Sequence, residues 1–182
     1  GPLLVLAGAG SGKTSVITQK IAYLVEECGI PARNIAAVTF TNKAAREMKA
    51  RVASLLSKPD GRGLTVSTFH NLGLNIIRSE IKALGFKPGF SILDQEDCRN
   101  LLKELLSRNS ELDEKLIDTA QNTISNWKNG LLEPHQVASA SASNSEQATA
   151  MLYERYQRAL KAYNAVDFDD LIMTPVLLFR SQ

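Results

Sequence analysis

At 182 residues, 44% of them hydrophobic and 22% charged, the chain has an ordinary globular composition, enough for one sizeable core or one core plus an insertion. Its net charge of +2 is too mild to identify a nucleic-acid partner, so any such partner has to be argued from where the charges sit. No apolar run approaches the about 18–20 residues a membrane-spanning helix needs. The two cysteines, Cys28 and Cys98, make neither a disulfide framework nor a metal-ligand spacing, so the expected setting is a reducing cytoplasm with no membrane partner.

In chain order, three strand–helix units come first. Leu3–Ala7 is a short, wholly apolar run, the pattern of a strand buried on both faces. A chain opening at a core strand, with no basic leader, reads as a fragment of something longer. A helix over 12–28 follows, with Val16, Ile17, Ile21, Leu24 and Val25 at helical spacing and Gly29 to end it. A second strand, Ile35–Phe40, meets a helix that Thr41 or Asn42 can cap and that runs to about Leu56. The third strand, Leu64–Phe69, leads into a helix through Leu72, Ile76 and Ile77 toward Gly85. Alternation of this kind predicts an α/β fold, a parallel sheet with crossover helices. After Gly85 the pattern is helical: from Asp94 through Leu106, from about Glu111 to Lys128, and from Glu146 to Tyr163, with the Ser/Ala-rich stretch 139–145 as a loose connection. No strand of comparable strength is expected between Gly85 and Val166.

Between the first strand and first helix lies Ala7-Gly8-Ala9-Gly10-Ser11-Gly12-Lys13-Thr14. Its form is that of a phosphate-binding loop, with Ala7 in place of the usual first glycine. Glycines let successive backbone N–H groups turn toward phosphate oxygens, and the helix that follows adds its positive end. Lys13 supplies a point charge for the terminal phosphates, and the Thr14 hydroxyl suits Mg2+. This points to ATP or GTP.

Ligands gather beyond the carboxyl ends of parallel strands. The second strand ends in Phe40-Thr41-Asn42 and the third in Phe69-His70-Asn71. Hydroxyl, amide and free N–H groups at a helix start suit a phosphodiester oxygen, and the phenyl rings of Phe40 and Phe69 offer faces for bases. Lys43, Arg46 and Lys49 share one helix face, opposite Ala45, Met48, Val52 and Leu55. Together these predict a track for single-stranded nucleic acid.

The segments at 1–14, 35–51, 63–74, 123–129 and 166–172 resemble, in order and spacing, the N-terminal part of superfamily 1 DNA helicases of the Rep/UvrD/PcrA type, most of all the Rep branch. Alanine at position 7 is common there; Ser15, where relatives often carry arginine, is a departure. The resemblance implies a RecA-like motor domain interrupted by an all-helical subdomain: 1–84 for the ATP-binding part, 85–166 for the insertion, and 167–182 for a helix returning to the motor. It also implies ATP and Mg2+ as cofactors, with nucleotide binding by Ala7 to Thr14 and single-strand contact by Phe40, Thr41, Asn42, Phe69 and His70. The implied activity is translocation 3′ to 5′ on single-stranded DNA and separation of the duplex junction, in replication or repair. A motor subunit of a helicase–nuclease and a nucleotide-dependent DNA-binding module without unwinding are the alternatives.

Asp167-Phe168-Asp169-Asp170 is not read as the acid cluster that holds Mg2+. Such an acid ends an apolar strand, whereas here the apolar run, Leu171 to Phe179, comes after; acids in that position mark a helix start. The resemblance places the metal-binding Asp-Glu pair farther along, together with the arginine finger and the second motor domain, and an adenine-reading glutamine upstream. The expectation is a chain that binds nucleotide and hydrolyses it negligibly. Trp127 is expected to pack in the core, and His135 has no assigned role.

Overall fold

The computed structural model describes residues 2–8, 10–57, 59–106, 114–140 and 143–181. It is a mixed α/β structure, rich in helix, with two small parallel sheets. The chain divides into two compact units, Gly1–Leu72 and Gly73–Gln182.

In the first unit, α1 (Lys13–Glu26) is followed by a short 3-10 turn at Ala32–Asn34, then β1 (Ala36–Thr39), α2 (Asn42–Leu55) and β2 (Thr65–Thr68). As its position promised, Gly29 takes the left-handed conformation just beyond α1, with φ of 65°. Thr41 caps α2, its hydroxyl oxygen accepting from the Ala44 N–H at 3.1 Å. Strands β1 and β2 pair in parallel, from Ala36 opposite Thr65 to Thr39 opposite Thr68, with α2 as the crossover. Ile21 and Ala22 of α1, Ala37 of β1, and Met48 and Val52 of α2 form the core with Leu56. The face of α2 carrying Lys43, Arg46 and Lys49 is exposed, as its spacing predicts, whereas Leu55 is more open than expected and Leu56 is buried in its stead.

The expected first strand is absent: residues 3–7 form no strand, and Leu3, Leu4 and Leu6 are more than four-fifths exposed at 82%, 82% and 86%. A run apolar on both faces becomes a buried strand only when neighbours pair with its backbone and cover both its faces. Among the described residues none pairs with it.

Helix α3 (Phe69–Ser79) starts in the first unit and ends six residues short of Gly85. The second unit then has β3 (Ser91–Ile92), α4 (Gln95–Leu106), α5 (Glu114–Asn129), α6 (Pro134–Ala140), α7 (Asn144–Ala162), β4 (Ala165–Val166) and α8 (Asp170–Arg180). Positions 111–113, expected to begin α5, lie outside the described residues. Strand β3 pairs in parallel with β4, a two-residue ladder that the sequence reading did not foresee. Asn164 sets its edge: in the left-handed conformation, with φ of 51°, its amide accepts from the Lys87 N–H at 2.8 Å and donates to the Lys87 carbonyl at 3.1 Å. Part of the stretch expected as a loose connection belongs to α6, and Ser143 with Glu146 forms a capping box that starts α7.

Helices α4, α5, α6 and α7 enclose a core that includes Leu101, Leu102, Ile117, Ile124, Val137, Tyr153, Tyr156 and Leu160. Trp127 packs against it, its ring stacked on Tyr153 with centroids 6.0 Å apart. A second cluster joins Ile77 of α3 to Val166 and Leu171. Gly73 permits this: a Cβ there would run into the Leu171 carbonyl group, with its carbon 2.9 Å away, and would meet the Pro175 ring at 3.5 Å.

Candidate nucleotide and single-strand sites

All the candidate residues fall in the first unit. Within the loop at 7–14, Gly10 and Gly12 are left-handed, with φ of 75° and 80°, a conformation that a side chain would strain. The Ser11 hydroxyl donates to the Gly8 carbonyl at 2.6 Å and closes the turn. Helix α1 begins at Lys13, and no side chain caps it, so the N–H groups of its first turn face the loop. Lys13 folds over that loop, its ammonium donating to the carbonyls of Ala7, at 3.1 Å, and Gly8. Thr14, one residue on, is exposed. Ala9 lies outside the described residues.

This arrangement fits a polyphosphate. A methyl group on Gly8, Gly10 or Gly12 would meet no atom within 4 Å, so the space around the loop is open. Uncapped N–H groups, a helix's positive end and a lysine already at the loop are the donors that phosphate oxygens require. For Mg2+ the loop provides the Thr14 hydroxyl; among the described residues no group of three or more His, Cys, Asp or Glu side chains is placed to hold a metal ion.

At the carboxyl end of the sheet, the register that pairs Thr39 with Thr68 carries on past the strands. Phe40 then falls beside Phe69, with ring centroids 5.8 Å apart and planes tilted by 46°. Phe40 is 88% exposed and Phe69 44%, so the two rings form an uncovered aromatic platform. Asn42 falls beside Asn71, which donates from Nδ2 to Asn42 Oδ1 at 3.2 Å. Thr41 is exposed, its hydroxyl oxygen accepting the bond that caps α2. His70 is exposed in the first turn of α3. Beside this end, Lys43, Arg46 and Lys49 form no ion pair among the described residues.

Asn71 is the residue that sequence reasoning passed over as a site. Its signal was present: Thr39-Phe40-Thr41-Asn42 and Thr68-Phe69-His70-Asn71 repeat one pattern at the 29-residue offset that the Asn71–Asn42 bond spans. A cleft of about 620 Å³ lined by Gly29, Pro31, Arg33, Pro59, Asp60 and Arg62 precedes the strands, at the sheet's opposite end, and holds none of the candidates.

The acid cluster at 167–170 starts a helix, as read from sequence, and lies in the second unit. Asp167 and Asp170 cap one another: the Asp170 N–H donates to Asp167 Oδ1 at 2.9 Å and the Asp167 N–H to Asp170 Oδ2 at 3.3 Å. Lys128, only 1% exposed, donates to Asp167 at 2.6 Å and Asp170 at 2.9 Å, and the Tyr156 hydroxyl donates to Asp167 at 2.9 Å. Burial opposes the Lys128 charge, yet the two carboxylates hold its pKa above the ordinary lysine value. Burial pushes the Asp170 carboxyl up against the pull of Lys128, and the neighbouring charge of Asp167 adds to the rise. Burial also raises the Cys98 thiol, to about 11, which leaves it an inert part of the core.

Residues 1–182 match the UvrD/REP helicase N-terminal domain throughout. The chain is 54% identical over 180 residues to the ATP-dependent DNA helicase Rep of Escherichia coli (strain K12), covering 99% of this chain and 27% of that protein. It is 45% identical over 181 residues to the ATP-dependent DNA helicase PcrA of Bacillus subtilis (strain 168), covering 98% and 24%. It therefore spans about a quarter of the length of these relatives. With its loop, its paired strand ends and a match along its whole length, the chain belongs to the UvrD/REP helicase family, as part of that family's N-terminal domain.

Proposed function

We propose that this chain is the nucleotide-binding and single-strand-binding part of an ATP-dependent DNA helicase. The observation that carries the reading is the parallel register of β1 and β2, which sets Phe40 beside Phe69 and Asn42 beside Asn71 beyond the sheet's carboxyl end. Bases stack on the exposed rings; Asn42, the Thr41 hydroxyl and the helix starts meet the backbone phosphates, with His70 alongside. The cationic face of Lys43, Arg46 and Lys49 strengthens the attraction in a salt-dependent way.

In this reading Gly8 to Thr14 cradle the phosphates of ATP, Lys13 neutralises the terminal ones, and Thr14 takes a place in the Mg2+ shell. Bound ATP supplies the free energy for movement. Residues 1–84 belong to a RecA-like motor domain; 85–166 form the inserted, mainly helical subdomain that approaches duplex; and 167–182 lead back to the motor. The whole protein moves 3′ to 5′ on single-stranded DNA in the cytoplasm, in replication or repair. The 182 residues alone bind nucleotide and turn it over negligibly; the acids at 167 and 170 are engaged by Lys128 and their own helix start.

Fluorescence anisotropy of a labelled oligothymidylate tests the track. Phe40→Ala and Phe69→Ala are each expected to weaken binding by about tenfold, the scale of one base–aromatic stack. Affinity unchanged in both variants contradicts the reading.

A further inference from the structure

The bond between Asn71 and Asn42 has a directional consequence. A primary amide presents an acceptor on one side and donors on the other, and a half-turn exchanges them at almost no change in shape. The neighbour therefore decides which side faces out. Asn71 lies in the first turn of α3, where its backbone N–H donates to Thr68 Oγ1 at 3.2 Å. Its side chain offers Nδ2 to Asn42 Oδ1 at 3.2 Å. With Oδ1 so engaged, the NH2 group of Asn42 faces away from Asn71, at the start of α2.

Phosphodiester oxygens accept hydrogen bonds and donate none, so only the donor-outward orientation of Asn42 is productive against a strand's backbone. We propose that Asn71 is a positioning residue for single-strand binding: it holds the Asn42 amide with its donors outward, tying the two strand ends into one phosphate-reading unit. This rests on the strand ends being the single-strand track. Asn71 need not touch the nucleic acid itself; it acts through Asn42, so its effect exists only while Asn42 is present.

The test is a double-mutant cycle on the 182-residue chain, read by anisotropy with the same oligothymidylate. Asn71→Ala is expected to weaken binding by about threefold to tenfold, the scale of one hydrogen bond's net worth. Asn71→Asp is expected to weaken it further, because a carboxylate accepts from the Asn42 NH2 and turns Oδ1 outward. In an Asn42→Ala background, Asn71→Ala is expected to change nothing, and Asn71→Asp only by the repulsion of its charge. Equal losses from Asn71→Ala in both backgrounds, or none with Asn42 present, overturn the positioning role and leave the track standing. An Asn42→Ala chain that binds as tightly as the unaltered one overturns Asn42 as a phosphate contact, and the role of Asn71 falls with it.

Discussion

An ammonium group loses its hydration when it is buried, and Lys128, at 1% exposure, endures this because Asp167 and Asp170 both accept from it. The arrangement costs free energy to build, but it is far costlier to break from one side. Lys128→Ala is expected to lower stability by about 3–5 kcal/mol, measured by chemical denaturation at neutral pH. The deficit has a predictable pH dependence. Asp170 already has its carboxyl pKa raised from the ordinary value of 3.8 by burial, and losing Lys128 removes the attraction that opposes the rise. A raised folded-state pKa makes the folded state hold the proton more tightly than the unfolded one. The penalty is therefore full at neutral pH and shrinks as the pH falls through the folded-state value toward that of the unfolded chain. A deficit independent of pH contradicts this account of Lys128. The carboxylates of Asp167 and Asp170 are thus engaged by a lysine, a tyrosine and backbone N–H groups.

At the scale of elements, α3 and α8 meet where Gly73 lies against the turn of Leu171 and Pro175. Gly73→Ala is expected to force them apart at a cost of about 1–3 kcal/mol or more, seen as a lowered thermal midpoint with the helical signal otherwise kept. A midpoint equal to that of the unaltered chain contradicts the close approach. The helices were legible in sequence because each buries a stripe: Ala45, Met48 and Val52 on α2, or Leu101 and Leu102 on α4, recur at helical spacing. The start of α8 was legible because acids precede an apolar run. Strands β3 and β4 were not, since two residues are too few to show any alternation. Nor was α6, whose last residues, Ser139 and Ala140, read locally as a connection, although Val137 is buried in the core. Leu3–Ala7 shows the converse limit: its apolar run states a preference for a covered strand but cannot supply the neighbours that make one. Of the candidate sites, Phe40, Asn42 and Phe69 could be picked out by their place after a strand. That Phe40 meets Phe69, and Asn42 meets Asn71, required the strand register, which no single strand encodes.

For the whole chain, chemistry and architecture separate by unit. The residues assigned to nucleotide and single strand lie in Gly1–Leu72, while the buried ion pairs of Lys128 with Asp167 and Asp170 lie in Gly73–Gln182. The chain is thus proposed to bind two ligands through its first unit and to turn over neither. Titration calorimetry with Mg2+ and a non-hydrolysable ATP analogue tests the phosphate loop. Saturable binding is expected for the unaltered chain and loss of measurable binding for Lys13→Ala, because the ammonium that lies on the Ala7 and Gly8 carbonyls is the charge the loop offers to phosphate. Equal affinity in the two proteins would contradict that role of Lys13.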